Sequence, residues 1–342
     1  MPSKEEFDEL EAIDKERQGI TSVLTMSQGK RYNDGKSGRF NIDKNILPYD
    51  QTRVKLKSPI NGVDYINASW IKKIQEENHY DDLYNFLTTS KMNILLAQDP
   101  TADTKQHFYQ MIFEQHVDII VHIGSDENLS LWKKRSYGNI SKNLIERVEL
   151  ETNVIREKIH ILMKRNEAVN THETVVYHFT SWPETDQFRG ADSKALLTLI
   201  GLITRDIGKP TKEFTILAHD SYGGVKGAST FIVLLQLVQE LDTKMKVRAQ
   251  GLRDISRERE IEYINLFKTL KELRKQRAHM VSTLANYKFL LTTLANYCQN
   301  KSTFDKVSTN VKKVLMTSQA SPNHSTDETT DESDSDSDIY VN

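Results

Sequence analysis

The side chains best placed for chemistry lie in one short stretch, FTILAHDSYGGVKGASTF (Phe214–Phe231). An apolar run ends at His219. Asp220, Ser221, Tyr222, Val225 and Lys226 then follow, interleaved with Gly223, Gly224 and Gly227, and an apolar helix begins. A strand, a glycine loop and a helix N-terminus together make an anion cradle, because the loop amides point inward and the helix dipole favours negative charge. The chemistry such a cradle serves is phosphoryl transfer. The same pattern also suits a plain strand-to-helix turn that needs glycine for its backbone angles.

The surrounding elements read as an α/β framework. VDIIVHI (Val117–Ile123), EKIHILM (Glu157–Met163), TVVYHF (Thr174–Phe179) and FTILAH (Phe214–His219) have the length and apolar content of strands. Two of them are almost wholly apolar, which places them centrally. Leu196–Arg205, Ser229–Leu241, Ile261–Gln276 and Leu284–Cys298 read as helices, and residues 4–18 as a polar helix. Mixed strands and helices predict a sheet with helices packed on its faces. No linker divides the body, so residues 1–302 form one domain in this reading. Residues 303–342 form an acidic Ser/Asp-rich tail too polar to order itself.

Composition narrows the classes. The chain has 342 residues, a formal net charge of −2 and a single cysteine, Cys298. Near-neutral charge gives no case for nucleic-acid binding. One thiol cannot build a disulfide framework, so a reducing compartment such as the cytoplasm is expected. No run is long and apolar enough to span a membrane. Seven acids between Asp327 and Asp338 hide a mildly basic body, which suits anionic partners.

Four further stretches give the loop a context. They are NILPYDQTRVKL (Asn45–Leu56) with DYINASWI (Asp64–Ile71), AQDPTADTKQHFYQMIFEQHV (Ala97–Val117), FTSWPE (Phe179–Glu184) and LRKQRAHMVSTLANYKF (Leu273–Phe289). In this order they resemble the framework of the classical protein tyrosine phosphatases, and the glycine loop resembles that family's His-Cys, five residues, Arg, Ser/Thr-Gly signature. The resemblance implies a single phosphatase-like domain, a twisted mixed sheet with helices on both faces. The pairing of this framework with an altered signature is most similar to the phosphatase-like proteins of bracoviruses, the symbiotic viruses of parasitoid wasps. That narrower resemblance implies action in the cytoplasm of host insect cells, against host signalling or immunity.

The family's reaction needs a thiolate nucleophile that forms a covalent phosphoenzyme. At that station the chain carries Asp220, and at the arginine station Lys226, a point charge without the planar fork. Anchored instead on Phe231, the stations shift by one to Ser221 and Gly227. In either register, no cysteine and no arginine lies between His219 and Phe231. Cys298 reads as a small buried hydrophobe on a distant helix. The resemblance also places Glu184 where the family has its aspartic general acid, Asp43 where it has its substrate-stacking tyrosine, and Ser282 and Asn286 where it has its water-directing glutamines. These are vestigial positions of a catalytic set that is not intact.

Charge decides what the cradle can hold. Two unit charges at roughly 4 Å interact by about 4 kcal/mol at an effective dielectric near 20. A phosphate dianion would meet that repulsion at Asp220. The arrangement expected is internal, with Asp220 taking the loop amides and pairing with Lys226. The sequence therefore points to an inactive phosphatase-like protein that binds a protein partner, which the narrower resemblance implies is a host signalling protein, with weak or absent phosphotyrosine affinity. A phosphotyrosine-binding decoy and a residual enzyme using Asp220 through an aspartyl phosphate are the alternatives. The last needs a metal and extra carboxylates, and no such cluster, metal site or cofactor motif is visible in the sequence. In the tail, Ser333, Ser335 and Ser337 sit among acids, and Tyr340 precedes Val341-Asn342 in the spacing that some SH2 domains read after phosphorylation. The plain reading is a solvating acidic segment.

Overall fold

The fold was obtained as a computed structural model. It describes residues 2–19, 25–33, 39–72, 92–124, 136–150, 153–183, 185–208, 213–249 and 265–300. Helices α1 (Pro2–Gly19) and α2 (Ser27–Arg31) precede strands β1 (Arg53–Ile60), β2 (Val63–Ile71) and β3 (Met92–Gln98). Then come α3 (Lys105–Glu114), β4 (Ile119–Ile123), β5 (Ser136–Tyr137), β6 (Ile140–Leu150), β7 (Val154–Arg165) and β8 (Ala168–Phe179). The C-terminal half adds α4 (Gly190–Ile207), β9 (Phe214–Asp220), α5 (Gly227–Ala249), α6 (Leu266–Leu273) and a last helix, α7, over 284–300.

The strands form one nine-stranded sheet in the order β1-β2-β3-β9-β4-β8-β7-β6-β5. Its centre, β3-β9-β4-β8, is parallel and both flanks are antiparallel. The central strands are continuous apolar runs because both of their faces are covered. Ile94, Leu96, Ile119, Val121, Ile216 and Ala218 pack on one face in a core shared with α4, α5, α6 and α7. Their neighbours Leu95, Ala97, Ile120 and Leu217 pack on the other, against Phe108, Met111 and Ile112 of α3. This is the mixed sheet with helices on both faces that the sequence implies.

Some elements differ from the sequence reading. The strands over 53–71, 92–98 and 140–150 are absent from the sequence reading, although 92–98 contains the apolar run Ile94–Ala97, and β7 and β8 are each 12 residues long. The first half of β8 is largely exposed, so apolar content marks only its inner end, whereas β7 buries residues at intervals as far as Met163 and exposes only Lys164 and Arg165. The N-terminal helix is polar in composition, yet it buries Phe7, Leu10 and Asp14. Asp14 meets Arg274 at 3.0 Å, and Glu11 meets the same guanidinium at 2.8 Å. The tail, with Ser333, Ser335, Ser337 and Tyr340, lies outside the described residues.

Candidate functional site

Strand β9 delivers Asp220 to the centre of the sheet's C-terminal edge. The register pairs Ala97 of β3 with His219, Gln98 with Asp220, and His122 of β4 with His219. The chain must then turn sharply into α5. Gly223 and Gly224 both take φ of +74°, the left-handed region that L side chains rarely adopt. At Gly224 a Cβ would also collide with the carbonyl of Ala97.

The turn wraps its amides around the Asp220 carboxylate, which is 1% exposed. Oδ1 accepts from the amides of Tyr222 at 2.9 Å and Gly224 at 2.7 Å. Oδ2 accepts from Ala228, in the first turn of α5, at 2.9 Å. Burial pushes the Asp220 carboxyl up to about 6; the three amides pull it down and the nearby Asp99 carboxylate pushes it up. The cradle thus holds an anion supplied by the chain itself. Ser221 lies half-buried one residue on, and Tyr222 is exposed.

Lys226 does not pair with Asp220, contrary to the sequence reading. Its Nζ meets Asp186 at 3.0 Å and stands 4.3 Å from the centre of the Tyr222 ring. Three amides already satisfy Asp220, and the lysine reaches Asp186, in the segment after β8. The cation beneath the loop is Arg277, which is fully buried. It donates to Ser69 Oγ at 2.9 Å, Asn67 Oδ1 at 2.7 Å and the carbonyl of Gly223 at 2.5 Å. Burial lowers its pKa to about 10 against the opposing field of Tyr65 and Asp220. Sequence reasoning missed Arg277, although it lies within the Leu273–Phe289 stretch, because it is over fifty residues from the loop and meets it only in the folded chain.

The other sequence-predicted positions gather around the loop to different degrees. Ser282 donates its amide to the carbonyl of Val225 at 3.0 Å. Asn286 is fully buried, and neither atom of its side-chain amide has a hydrogen-bond partner. Asp43 is exposed and caps its own turn, accepting from the amide of Asn45 at 2.8 Å. The same segment reaches the loop through Ile46, whose Cγ2 would be 2.5 Å from a Cβ at Gly223. Trp182 packs edge-on to Phe188 and Phe289, but Glu184 lies outside the described residues. Cys298 is exposed, not buried as the sequence reading has it. Tyr297 takes the inward position on α7, and one residue further along a helix turns the side chain by about 100° toward water.

Beneath the loop the three central strands bring further groups together. Asp99 Oδ1 lies 2.6 Å from His219 Nδ1, and Asp99 Oδ2 lies 3.7 Å from His122 Nε2. Burial opposes the charge, yet the two imidazoles hold Asp99 well below the usual carboxylate range. The sequence reading found no such cluster, because its members sit at 99, 122 and 219 and meet only through strand register.

Comparison with known proteins agrees with the fold. Residues 38–296 match the family model described as protein-tyrosine phosphatase. Human receptor-type tyrosine-protein phosphatase alpha is 25% identical over 300 residues, which is 83% of this chain but 32% of that protein. Tyrosine-protein phosphatase 99A of Drosophila melanogaster is 30% identical over 262 residues, covering 72% of this chain and 17% of the relative. The chain thus spans about a third or less of these curated relatives. Among solved structures, the catalytic domain of human protein tyrosine phosphatase non-receptor type 18 superposes with a TM-score of 0.66 at 21% identity, covering 86% of this chain and 95% of that one. The chain belongs to the protein tyrosine phosphatase family. Among its described residues, no helix is long and apolar enough to cross a membrane.

Proposed function

We propose that this chain is a catalytically inactive member of its family, and that it acts by binding a protein partner. The observation that carries the reading is the Asp220 carboxylate, buried in the amide cradle where the family's chemistry requires a thiolate facing an incoming phosphate. The loop contains no cysteine and no arginine. Lys226, at the arginine station, is engaged with Asp186. Without a thiolate the covalent route is absent, and without the guanidinium fork the transition state loses stabilisation of several kcal/mol. Glu184, Ser282, Asn286 and Asp43 complete the set of altered stations.

Recognition then runs through surfaces other than the cradle. PTPN18, which shares the fold, has been captured in complex with HER2-pY1196 phosphopeptides. In this chain the same entry would bring a phosphate against a carboxylate of like charge, which favours a protein partner over a phosphotyrosine decoy. Taken with the bracovirus resemblance, the partner proposed is a signalling protein of an infected host cell, met in its cytoplasm.

The test measures turnover and anion binding on one preparation. The chain should release no phosphate from aryl phosphates or phosphotyrosine peptides at stoichiometric enzyme, with or without magnesium. Calorimetry should show little or no vanadate binding by wild type and measurable binding by Asp220→Ser, where a neutral donor replaces the like charge. Turnover that disappears on Asp220→Ala would sink the reading. Vanadate binding as tight in wild type as in Asp220→Ser would show that Asp220 does not govern the cradle.

A further inference from the structure

The cluster under the loop has donors that its hydrogen bonds do not use. His122 is fully buried at 0% exposure, and neither of its ring nitrogens makes a hydrogen bond. A neutral imidazole has one donor and one acceptor to satisfy. Leaving such groups unpaired in the interior is unfavourable, because they give up their hydrogen bonds to water and gain none in return. Asp99 Oδ2, 3% exposed as a residue, likewise has no hydrogen bond. A second carboxylate, Asp220, is buried at the same strand end, and the amide of Asp99 donates to its carbonyl at 2.8 Å.

We propose that Asp99, His122 and His219 ligate a divalent cation of the zinc class in a structural site beneath the loop. One ligand atom from each of the three residues can be chosen so that all lie within 4.8 Å of one another. Tetrahedral coordination at about 2.0–2.1 Å places neighbouring donors roughly 3.3–3.4 Å apart. Asp99 Oδ1 stands 2.6 Å from His219 Nδ1 and Asp99 Oδ2 3.7 Å from His122 Nε2, so the carboxylate and both rings must readjust for one Asp99 oxygen to share an ion with the two imidazoles. Two imidazole nitrogens and one carboxylate oxygen are a borderline donor set, suited to zinc rather than to magnesium or calcium. Each ligand comes from a different central strand, β3 lying one residue beyond its end at Gln98, with β4 and β9 in register. An ion there would lock the strands that carry the loop. All three residues are buried, so the role is structural, with no access for a substrate. The His178 ring lies 5.6 Å from that of His122, centre to centre, and its Nε2 is 3.4 Å from Glu157, without a hydrogen bond to the proposed ligand.

The test uses the untagged full chain purified without chelator. Elemental analysis should find close to one zinc per chain. Chelation under mild denaturant followed by refolding with cobalt(II) should give a visible d–d spectrum, and zinc should raise the melting temperature of the metal-free protein. His122→Leu and Asp99→Asn should each lower metal content at least about tenfold, consistent with loss of a ligand. His160→Leu, at an imidazole outside the cluster, should leave it unchanged. A folded wild-type protein that holds no zinc, cobalt or other transition metal, and whose melting temperature ignores added zinc, would overturn the proposal. Zinc retained in full by a folded His122→Leu would overturn the ligand assignment, and would direct attention to the second cluster of Glu11, Asp14 and His279.

Discussion

The carboxylate of Asp220 and a phosphate compete for the same amides. Three backbone donors and the first turn of α5 surround it, so a thiol placed there by Asp220→Cys would inherit them. Its pKa should fall, and alkylating reagents should label it at neutral pH far faster than a free thiol. Cys298 is exposed, so the comparison belongs in a Cys298→Ser background. Phosphatase turnover should nevertheless stay low in the single variant, because Lys226 cannot orient the equatorial oxygens as a fork does. Adding Lys226→Arg should give the largest further gain, with Glu184→Asp and Asp43→Tyr contributing less. Rates typical of active phosphatases from Asp220→Cys alone would show that only the nucleophile has been lost. The identities at these stations were legible in the sequence, since a motif of contiguous residues fixes its own register to within one position. What Lys226 touches was not, because a long flexible side chain is placed by its tertiary neighbours. Asp186 and Tyr222 decide it.

At the scale of elements, the Lys226–Asp186 pair ties the loop after β9 to the segment that follows β8. Both side chains are largely shielded from solvent, at 9% and 22% exposure, so the pair is screened less than a surface one. Lys226→Met should speed amide hydrogen exchange across 181–189 while leaving β4 and β9 protected. Unchanged exchange there would mean that Trp182, Phe188 and Phe289 hold the segment without the ion pair. A second link lies at α2. Asp50 accepts from the amides of Ser27 and Gln28 and from the hydroxyls of Thr25 and Ser27. Partial burial opposes its charge, but these donors win and hold its carboxyl below the usual value. A depressed folded pKa means stability that is fully present above the unfolded value near 3.9 and lost as pH falls through the folded one. Asp50→Asn should therefore cost about 1 kcal/mol at neutral pH, and less in acid denaturation below about pH 4. The sequence marked the central strands β4 and β9 through their apolar runs. The sequence reading passes over β3 although Ile94–Ala97 is a comparable run, and it misses β1 and β6 because their mixed polar and apolar composition gives no continuous run. Nor does it mark the Asp99/His122/His219 cluster, which exists only once β3, β4 and β9 are in register.

The molecule as a whole is closed by its first helix. Arg274 is fully buried. It donates to Asp14 and Glu11 on one side and to the carbonyls of Met280 and Val281 on the other. The turn it secures contains His279 at φ of +62° and Val281 at +58°. A β-branched residue in that region costs on the order of 1–3 kcal/mol and persists only where its surroundings hold it. Ser282 and Asn286 follow directly, so α1 braces the turn that leads into α7. A fragment begun at residue 38, where the family match starts, would lose the acids that pair with Arg274 and the buried Phe7 and Leu10 that pack against the core. Such a fragment should melt well below the intact chain or aggregate on expression, and Arg274→Met in the full chain should be milder than the truncation. Equal melting temperatures for fragment and full chain would refute this.

The same contact imposes an order on biosynthesis. Asp14 and Arg274 stand 260 residues apart. At about 5–20 residues per second, Asp14 leaves the ribosome roughly 10–50 s before its partner exists. Helix α1 therefore cannot dock while the sheet is being made. It waits, as a charged segment, and engages only after nearly the whole domain has emerged, so a segment synthesised before the sheet is among the last to be fastened.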